Sequence, residues 1–442
     1  MPGGGFAKTH PFGPVLPVWA PGVPVREGLL FAPSLVTAGG AAPLRATQLL
    51  GLREIREGAL AWKSGVIAYA GPADGVPEDL ATARPRFRVE GAVLPGFVDC
   101  HTHLPFFGWR ADEFEARLAG RTYRDLHGGG GIFRSARLLG EASDEEVMEF
   151  CGPLVREMLA HGTTALELKT GYGLSTEGEL RQARLARRLA AEATQTATVT
   201  LLACHAVPTD RSRQEWVEEV CAELIPAAAS EGLVDAVDVY VEDIAFSVED
   251  LARVATAALA HGLPVRCHAD QLGPSGAAEA AVAQGARSAD HLNHASPTGV
   301  TALGGSGRTA SVLLPVSTLF LRARPPPVAD LMSAGALVAV ATDFNPGTSP
   351  CLSMPEAIAV AASLYRMPAL AAIGAGTLNA AWVLGLHGRL GSLEPGKRAD
   401  FVVLDSEDVS MVPYRPGHNP VAETWIGGEP VFRRDSSDPS PA

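Results

Sequence analysis

The sequence predicts an α/β fold: a (β/α)8 TIM barrel carrying a small β-sandwich built from its N- and C-terminal segments. Three observations predict it. Between residues 92 and 343, eight short apolar runs alternate with longer amphipathic segments, the pattern of βα units that build a parallel sheet. Four of those eight runs end in histidine and the last ends in aspartate, and a barrel carries its site at the C-terminal ends of its strands. Outside this region, residues 25–94 and 386–433 hold short apolar runs broken by Gly and Pro, which read as turn-linked strands.

The predicted barrel strands are 92–101, 163–169, 198–205, 236–243, 263–268, 286–291, 311–315 and 338–343. Amphipathic stretches at 145–160, 177–194, 212–230, 248–261 and 274–284 lie between them. Gly162, Gly232, Gly262 and Gly285 follow four of these, where a helix needs a residue free to adopt positive φ. The domain plan is a loose tail at 1–24, a sandwich of 25–94 plus 386–433, a barrel of 95–385, and a second tail at 434–442.

Composition narrows the class. The 442-residue chain is 47% hydrophobic and 19% charged, as expected of a globular protein with a large core. Its formal charge of -13 argues against nucleic acid or an anionic membrane as the main partner. No apolar stretch approaches the ~20 residues of a membrane span. Residues 1–24 lack the basic start and apolar centre of a signal peptide, so a cytoplasmic location is expected. The six cysteines show no C-x-x-C pair and no disulfide-framework spacing. Cys100, Cys204 and Cys267 each precede a histidine. Alternation along a strand turns each thiol away from its neighbour's side, so these cysteines are expected to fill the helix-facing layer.

Chemistry gathers at the strand ends. His101 and His103 stand two apart and share a side, so both reach one ion. His205, His268, His291 and Asp343 end strands 3, 5, 6 and 8. A core strand normally ends in a residue that packs, and the whole set therefore reads as a metal site. Lys169 lies on strand 2 with Glu167 two residues before it, the arrangement of an internal ion pair.

H-x-H on strand 1, His on strands 5 and 6 and Asp on strand 8 resemble the amidohydrolase superfamily. That resemblance implies His101, His103, His268 and Asp343 as metal ligands. Strand 4 contains no lysine to bridge a second ion, so one Zn2+ or Fe ion per subunit is expected. An ion there lowers the pKa of bound water from 15.7 toward roughly 7, supplying hydroxide to attack an amide or amidine carbon. His291 is then expected to take or share the water's proton, and Asp343 to carry a proton to the leaving nitrogen. Aromatic deaminases of the superfamily have glutamate three residues after the strand-5 histidine. Here it is Gln271, which cannot act as a base.

Further segments are more specific: His101-Thr-His-Leu-Pro-Phe-Phe-Gly-Trp-Arg110, Arg121-Thr-Tyr123, Gly128-Gly-Gly-Gly-Ile132 and Glu167-Leu-Lys-Thr-Gly-Tyr-Gly-Leu174. With Cys204-His-Ala-Val-Pro208, His268-Ala-Asp-Gln-Leu272, Ser288-Ala-Asp-His-Leu292 and Thr342-Asp-Phe-Asn-Pro-Gly-Thr-Ser349, they resemble the imidazolonepropionase family over residues 55–405. The resemblance implies hydrolysis of the cyclic amide of 4-imidazolone-5-propanoate to N-formimino-L-glutamate, in histidine degradation, by a homodimer.

It also implies substrate contacts at Arg110, Tyr123, Tyr172, His205, Gln271, Asn345, Gly347 and Thr348, with catalytic roles for His291, Asp343, Gln271 and His205. The substrate's carboxylate suits a bidentate grip by Arg110, with a tyrosine hydroxyl beside it. Trp109 and Asn293-His294 depart from the family pattern, and a reshaped pocket rim is expected there. The alternatives are a sister amidohydrolase for another carboxylated cyclic amide or amidine and, from a different class, a non-catalytic interaction protein on the same barrel. The latter should have lost metal ligands, and all four are present.

Overall fold

The computed structural model describes residues 27–121 and 130–434. The tail expected at 1–24 and the residue Tyr123 lie outside them. So do residues 435–442 of the second tail, whereas Arg434 is tied down, its backbone N donating to Ala422 O at 2.9 Å.

Sixteen strands form two sheets among the described residues. They are β1 (Glu27–Leu35), β2 (Ile55–Lys63), β3 (Val66–Pro72), β4 (Arg86–Arg88), β5 (Val93–Pro95) and β6 (Phe97–Asp99). Then come β7 (Thr163–Lys169), β8 (Thr196–Cys204), β9 (Ala236–Val241), β10 (Val265–Ala269) and β11 (Ser288–His291). The chain ends with β12 (Ala310–Leu313), β13 (Leu337–Val340), β14 (Phe401–Leu404), β15 (Val421–Ile426) and β16 (Glu429–Arg433).

Strands β6 to β13 pair in parallel in sequence order, each with the next, as eight βα units require. The barrel closes at its C-terminal end. Asp343 N donates to His101 O at 3.0 Å and His103 N to Phe344 O at 2.9 Å, joining the chain after β13 to the chain after β6. Asp99 reinforces the seam by accepting from Thr342 N at 3.1 Å and Thr342 Oγ1 at 2.5 Å. The first and last strands are thus locked at the level of their two candidate metal ligands.

The helices fall where the apolar periodicity predicts them. Asp144–Ala160 starts at Ser143, whose hydroxyl and Glu146 cap each other's backbone, and Val248–Ala260 starts at a similar Ser247–Asp250 box. Gly162, Gly232, Gly262 and Gly285 adopt φ of 83°, 65°, 72° and 67°, ending helices as left-handed caps.

The expected first barrel strand, 92–101, is two strands. Val93–Pro95 pairs antiparallel with β14 in the small sheet, and Phe97–Asp99 pairs with β7 in the barrel. Gly96 makes the crossing, where an added Cβ would stand 2.3 Å from Thr164 Oγ1. A uniformly apolar run hides this break, because both halves are buried.

The small domain is one mixed sheet, ordered β16-β15-β14-β5-β1-β2-β3 with β4 beside β1. It curls until its ends face each other. Trp62 of β2 meets Phe401 of β14 at 5.7 Å and Trp425 of β15 at 5.8 Å between ring centroids, although those strands are not neighbours. Alternation along β14 divides its burial: Phe401 and Val403 enter this aromatic core, while Val402 and Leu404 pack into the barrel's core. Thr424 Oγ1 and Asn419 Nδ2 cap Leu159 O and Ala160 O at the end of helix Asp144–Ala160. Each buried Phe or Val contributes about 1.5–3 kcal/mol, so one face of β14 fastens the sheet to the barrel while the other closes the sheet's own core.

Candidate metal centre and substrate pocket

His101 and His103 follow β6, His268 lies on β10, His291 ends β11, and Asp343 follows β13. All five are at most 3% exposed. One ligand atom from each of His101, His103 and His268 lies within 4.8 Å of the others, and so does one from each of His101, His291 and Asp343. Cys100, Cys204 and Cys267 take no part in either group and pack in apolar clusters, where burial pushes each thiol well above its usual pKa. They act as the fillers expected.

The hydrogen bonds reveal what this cluster is suited to hold. His101 Nδ1 is 2.6 Å from Asp290 Oδ2 and donates to it, which leaves the Nε2 lone pair pointing inward. That Nε2 stands 3.5 Å from Asp343 Oδ1, and His103 Nε2 stands 3.2 Å from the same oxygen. Neither His101 Nε2 nor His268 Nε2 has a hydrogen-bond partner. Lone pairs on nitrogen and oxygen converging in a buried space repel one another unless a cation lies between them. The donor set therefore fits a metal ion, and three imidazoles with a carboxylate are a common set for one. Burial lowers the pKa of His101 and His103 well below the usual imidazole range, and lowers that of His291 to about 3. The rings are neutral, as metal binding requires.

Backbone strain collects at the same place. His291 has φ 77°, Asp343 φ 58° and Asp270 φ 51°, each costing on the order of 1–3 kcal/mol. The turns at His291 and Asp343 aim those side chains into the cavity beside the histidine cluster. The Asp270 carboxylate turns away from it and accepts from Ser275 N at 2.8 Å and Ala278 N at 3.1 Å.

That cavity brings together most of the expected contacts. Arg110, Tyr172, His205, Gln271, Asn345 and Thr348 line it with His103, His268, His291 and Asp343. Ile132 and Tyr240 line it too, and neither was expected there as a contact. Arg110 caps helix Ala111–Leu118 and is 3% exposed, yet its Nε and Nη1 have no hydrogen-bond partner. Its nearest carboxylate, Glu113 Oε2, is 3.7 Å away, and the other Glu113 oxygen is engaged by Gly131 N at 2.9 Å. A buried guanidinium with idle donors is a receptor for an anion. His205 Nδ1 donates to Gly171 O at 3.0 Å, directing Nε2 away from that bond.

Two expected contacts do their work indirectly. Asn345 Oδ1 accepts from Gly347 N, Thr348 N and Thr348 Oγ1 at 2.9, 2.7 and 3.0 Å, so the side chain is spent on its own turn. Gly347 is not a cavity wall, and its missing Cβ leaves room for Arg110: a Cβ there would lie 1.6 Å from Nη2. Gly347→Ala is therefore expected to push the guanidinium out of register and lower kcat/KM at least about tenfold, with metal content unchanged. Elemental analysis beside steady-state kinetics checks this.

Gln271 is held by a residue the sequence reading overlooked. Glu242, just past β9, accepts from Gln271 N at 2.5 Å and Leu272 N at 2.8 Å. Burial raises its pKa to about 7. The rim expectations meet different outcomes, since Asn293 and His294 line an outer cavity that shares Gln271 with this one and Trp109 does not. Trp109 lines a separate groove with Phe344 and Cys351. The Asn293 amide donates to Thr318 Oγ1 at 3.0 Å and Arg324 O at 2.7 Å, bracing one loop against another.

Comparison with known proteins agrees with this geometry. The amidohydrolase family model matches residues 92–431, and the chain belongs to that family. A curated imidazolonepropionase from Methylobacterium nodulans is 42% identical over 375 residues, covering 84% of this chain and 93% of that one. Another, from Agrobacterium fabrum, is 42% identical over 386 residues, covering 86% and 92%. This similarity places the chain, within the amidohydrolases, in the imidazolonepropionase family. Among solved structures, a zinc-bound adenosine deaminase from Xanthomonas campestris superposes with a TM-score of 0.65 at 20% identity, covering 94% of this chain and 93% of that one. It shares the fold.

Proposed function

We propose that this chain hydrolyses the cyclic amide of 4-imidazolone-5-propanoate to N-formimino-L-glutamate, a step of histidine degradation. His101, His103, His268 and Asp343 hold one ion, zinc or iron. When bound, that ion supplies an acidified water and polarises the ring carbonyl. The observation that carries this reading is Arg110: a buried guanidinium with two idle donors faces the same cavity as the histidine cluster.

The residues divide the work. Arg110 grips the propanoate carboxylate, with Tyr172 supplying a hydroxyl beside it. His205 and the Gln271 amide hold the polar atoms of the ring, while Ile132 offers its face an apolar wall. Neutral His291 accepts the proton of the attacking water. Asp343 takes up the remaining proton of that water from the added hydroxyl and passes it to the ring nitrogen as the C–N bond opens. Gln271 orients and has no base role.

Purified metal-loaded protein is expected to consume imidazolone propanoate, seen as loss of its ultraviolet absorbance. No turnover by fully metallated protein would remove the assignment, and turnover of another carboxylated cyclic amide instead would favour the sister-enzyme reading. Elemental analysis distinguishes zinc from iron. Among the described residues no helix is long and apolar enough to cross a membrane. The enzyme is proposed to act as a cytoplasmic homodimer, for which sedimentation should give twice the chain mass.

A further inference from the structure

Beneath the metal-ligand cluster runs a chain of charged side chains that the proposed reaction does not use. Asp290 Oδ2 accepts from His101 Nδ1 at 2.6 Å and from Arg266 Nη2 at 2.8 Å. Arg266 Nη1 donates to Glu167 Oε1 and, at 2.7 Å, to Cys100 O. Glu167 Oε2 lies 2.8 Å from Lys169 Nζ, which is 2.7 Å from Asp238 Oδ2. Asp238 Oδ2 also stands 3.1 Å from His268 Nδ1, a charged contact at an angle that is not that of a hydrogen bond. The path from His101 to His268 is therefore continuous, and its five charged members are at most 1% exposed.

Its origin is the alternation of the barrel strands. Glu167 and Lys169 on β7, and Arg266 and His268 on β10, are i and i+2 pairs that point inward together. The sequence thereby places a layer of ions one step below the layer that reaches the ligand site. As an element of stability alone such a layer is a poor choice, because desolvating five charges costs as much as their attraction returns. Its two ends both meet an imidazole nitrogen on the side away from the cluster, and that is an orienting arrangement.

We propose that Asp290 and Asp238 are positioning residues for the metal site. Each fixes one ligand imidazole with Nδ1–H outward and Nε2 inward, and Arg266, Glu167 and Lys169 hold the two carboxylates at the spacing this requires. The inference rests on the reading of His101, His103, His268 and Asp343 as metal ligands.

The test uses Co2+ as a probe, with affinity measured by competition against a chelator and the ligand-field absorption band as a signature of ligand geometry. Asp290→Asn and Asp238→Asn are each expected to weaken Co2+ binding about tenfold and to shift the band, and Asp290→Leu about 100-fold. Circular dichroism of the metal-free forms reports folding. Should Asp290→Leu fail to fold, the two asparagine variants decide. Folded variants that bind Co2+ within about twofold of the parent, with an unshifted band, would overturn the proposal. A parent chain that binds no Co2+, or a His103→Ala variant that binds it as tightly as the parent, overturns the ligand reading instead.

Discussion

His268→Ala is expected to strip the centre of metal and to lower kcat/KM on the order of 10³-fold or more. The imidazole lies on β10 with Nε2 free of any protein partner and facing the cluster. Its loss leaves His101, His103 and Asp343, a set one donor short and open on the β10 side. An ion's Lewis-acid role is worth several kcal/mol at the transition state, and each 1.36 kcal/mol is a factor of ten. Melting should change far less than activity, because the rings packed around His268 are other imidazoles and that of Tyr240, at the cavity. Elemental analysis and kinetics on the same preparation check both statements. A variant that retains metal and turnover would remove His268 from the site.

Arg110→Met should be the second large loss, of a different kind. The side chain keeps its length and apolar stem but offers no donor. A fully desolvated ion pair with the substrate carboxylate is worth about 3–5 kcal/mol when one partner is removed, so kcat/KM falls roughly 10²- to 10⁴-fold. Metal content is expected to stay at the parental level, separating this variant from His268→Ala. A substrate analogue without the carboxylate provides the control. The parent should discriminate against it by a similar factor, and Arg110→Met should hardly discriminate at all. Equal discrimination by both proteins would mean that another residue receives the carboxylate.

Much of this site was legible in the sequence because strand ends carry a simple code. An apolar run ending in His or Asp states both where a barrel strand stops and what it delivers. His101, His103, His268, His291 and Asp343 followed from that alone, and structure brings their side chains together. His205 was found by the same strand-end code, but its role as a substrate contact, and Arg110 altogether, needed the family resemblance, since one arginine after a loop carries no signal of burial. The ionic layer was only half visible. Glu167 and Lys169 share a strand and could be paired, whereas Arg266, Asp238 and Asp290 lie on three different strands. Their partnership depends on register across the barrel, which no local pattern encodes. Arg266 did offer a clue: a cation two residues before a ligand must point inward with it. Glu242 escaped because its role is toward backbone N–H groups, which every residue has.

The crossing at Gly96 has a consequence for how the protein is made. Pro95 pairs with Phe401, Leu94 with Val402 and Val93 with Val403, only six residues ahead of His101. At roughly 5–20 residues per second, a ribosome delivers those partners about 15–60 s after the strand itself emerges. Until then the segment leading to His101 and His103 has an open hydrogen-bonding edge, however complete the central βα units are. A nascent or truncated chain lacking residues 401–403 would therefore present an unpaired apolar edge only six residues before His101.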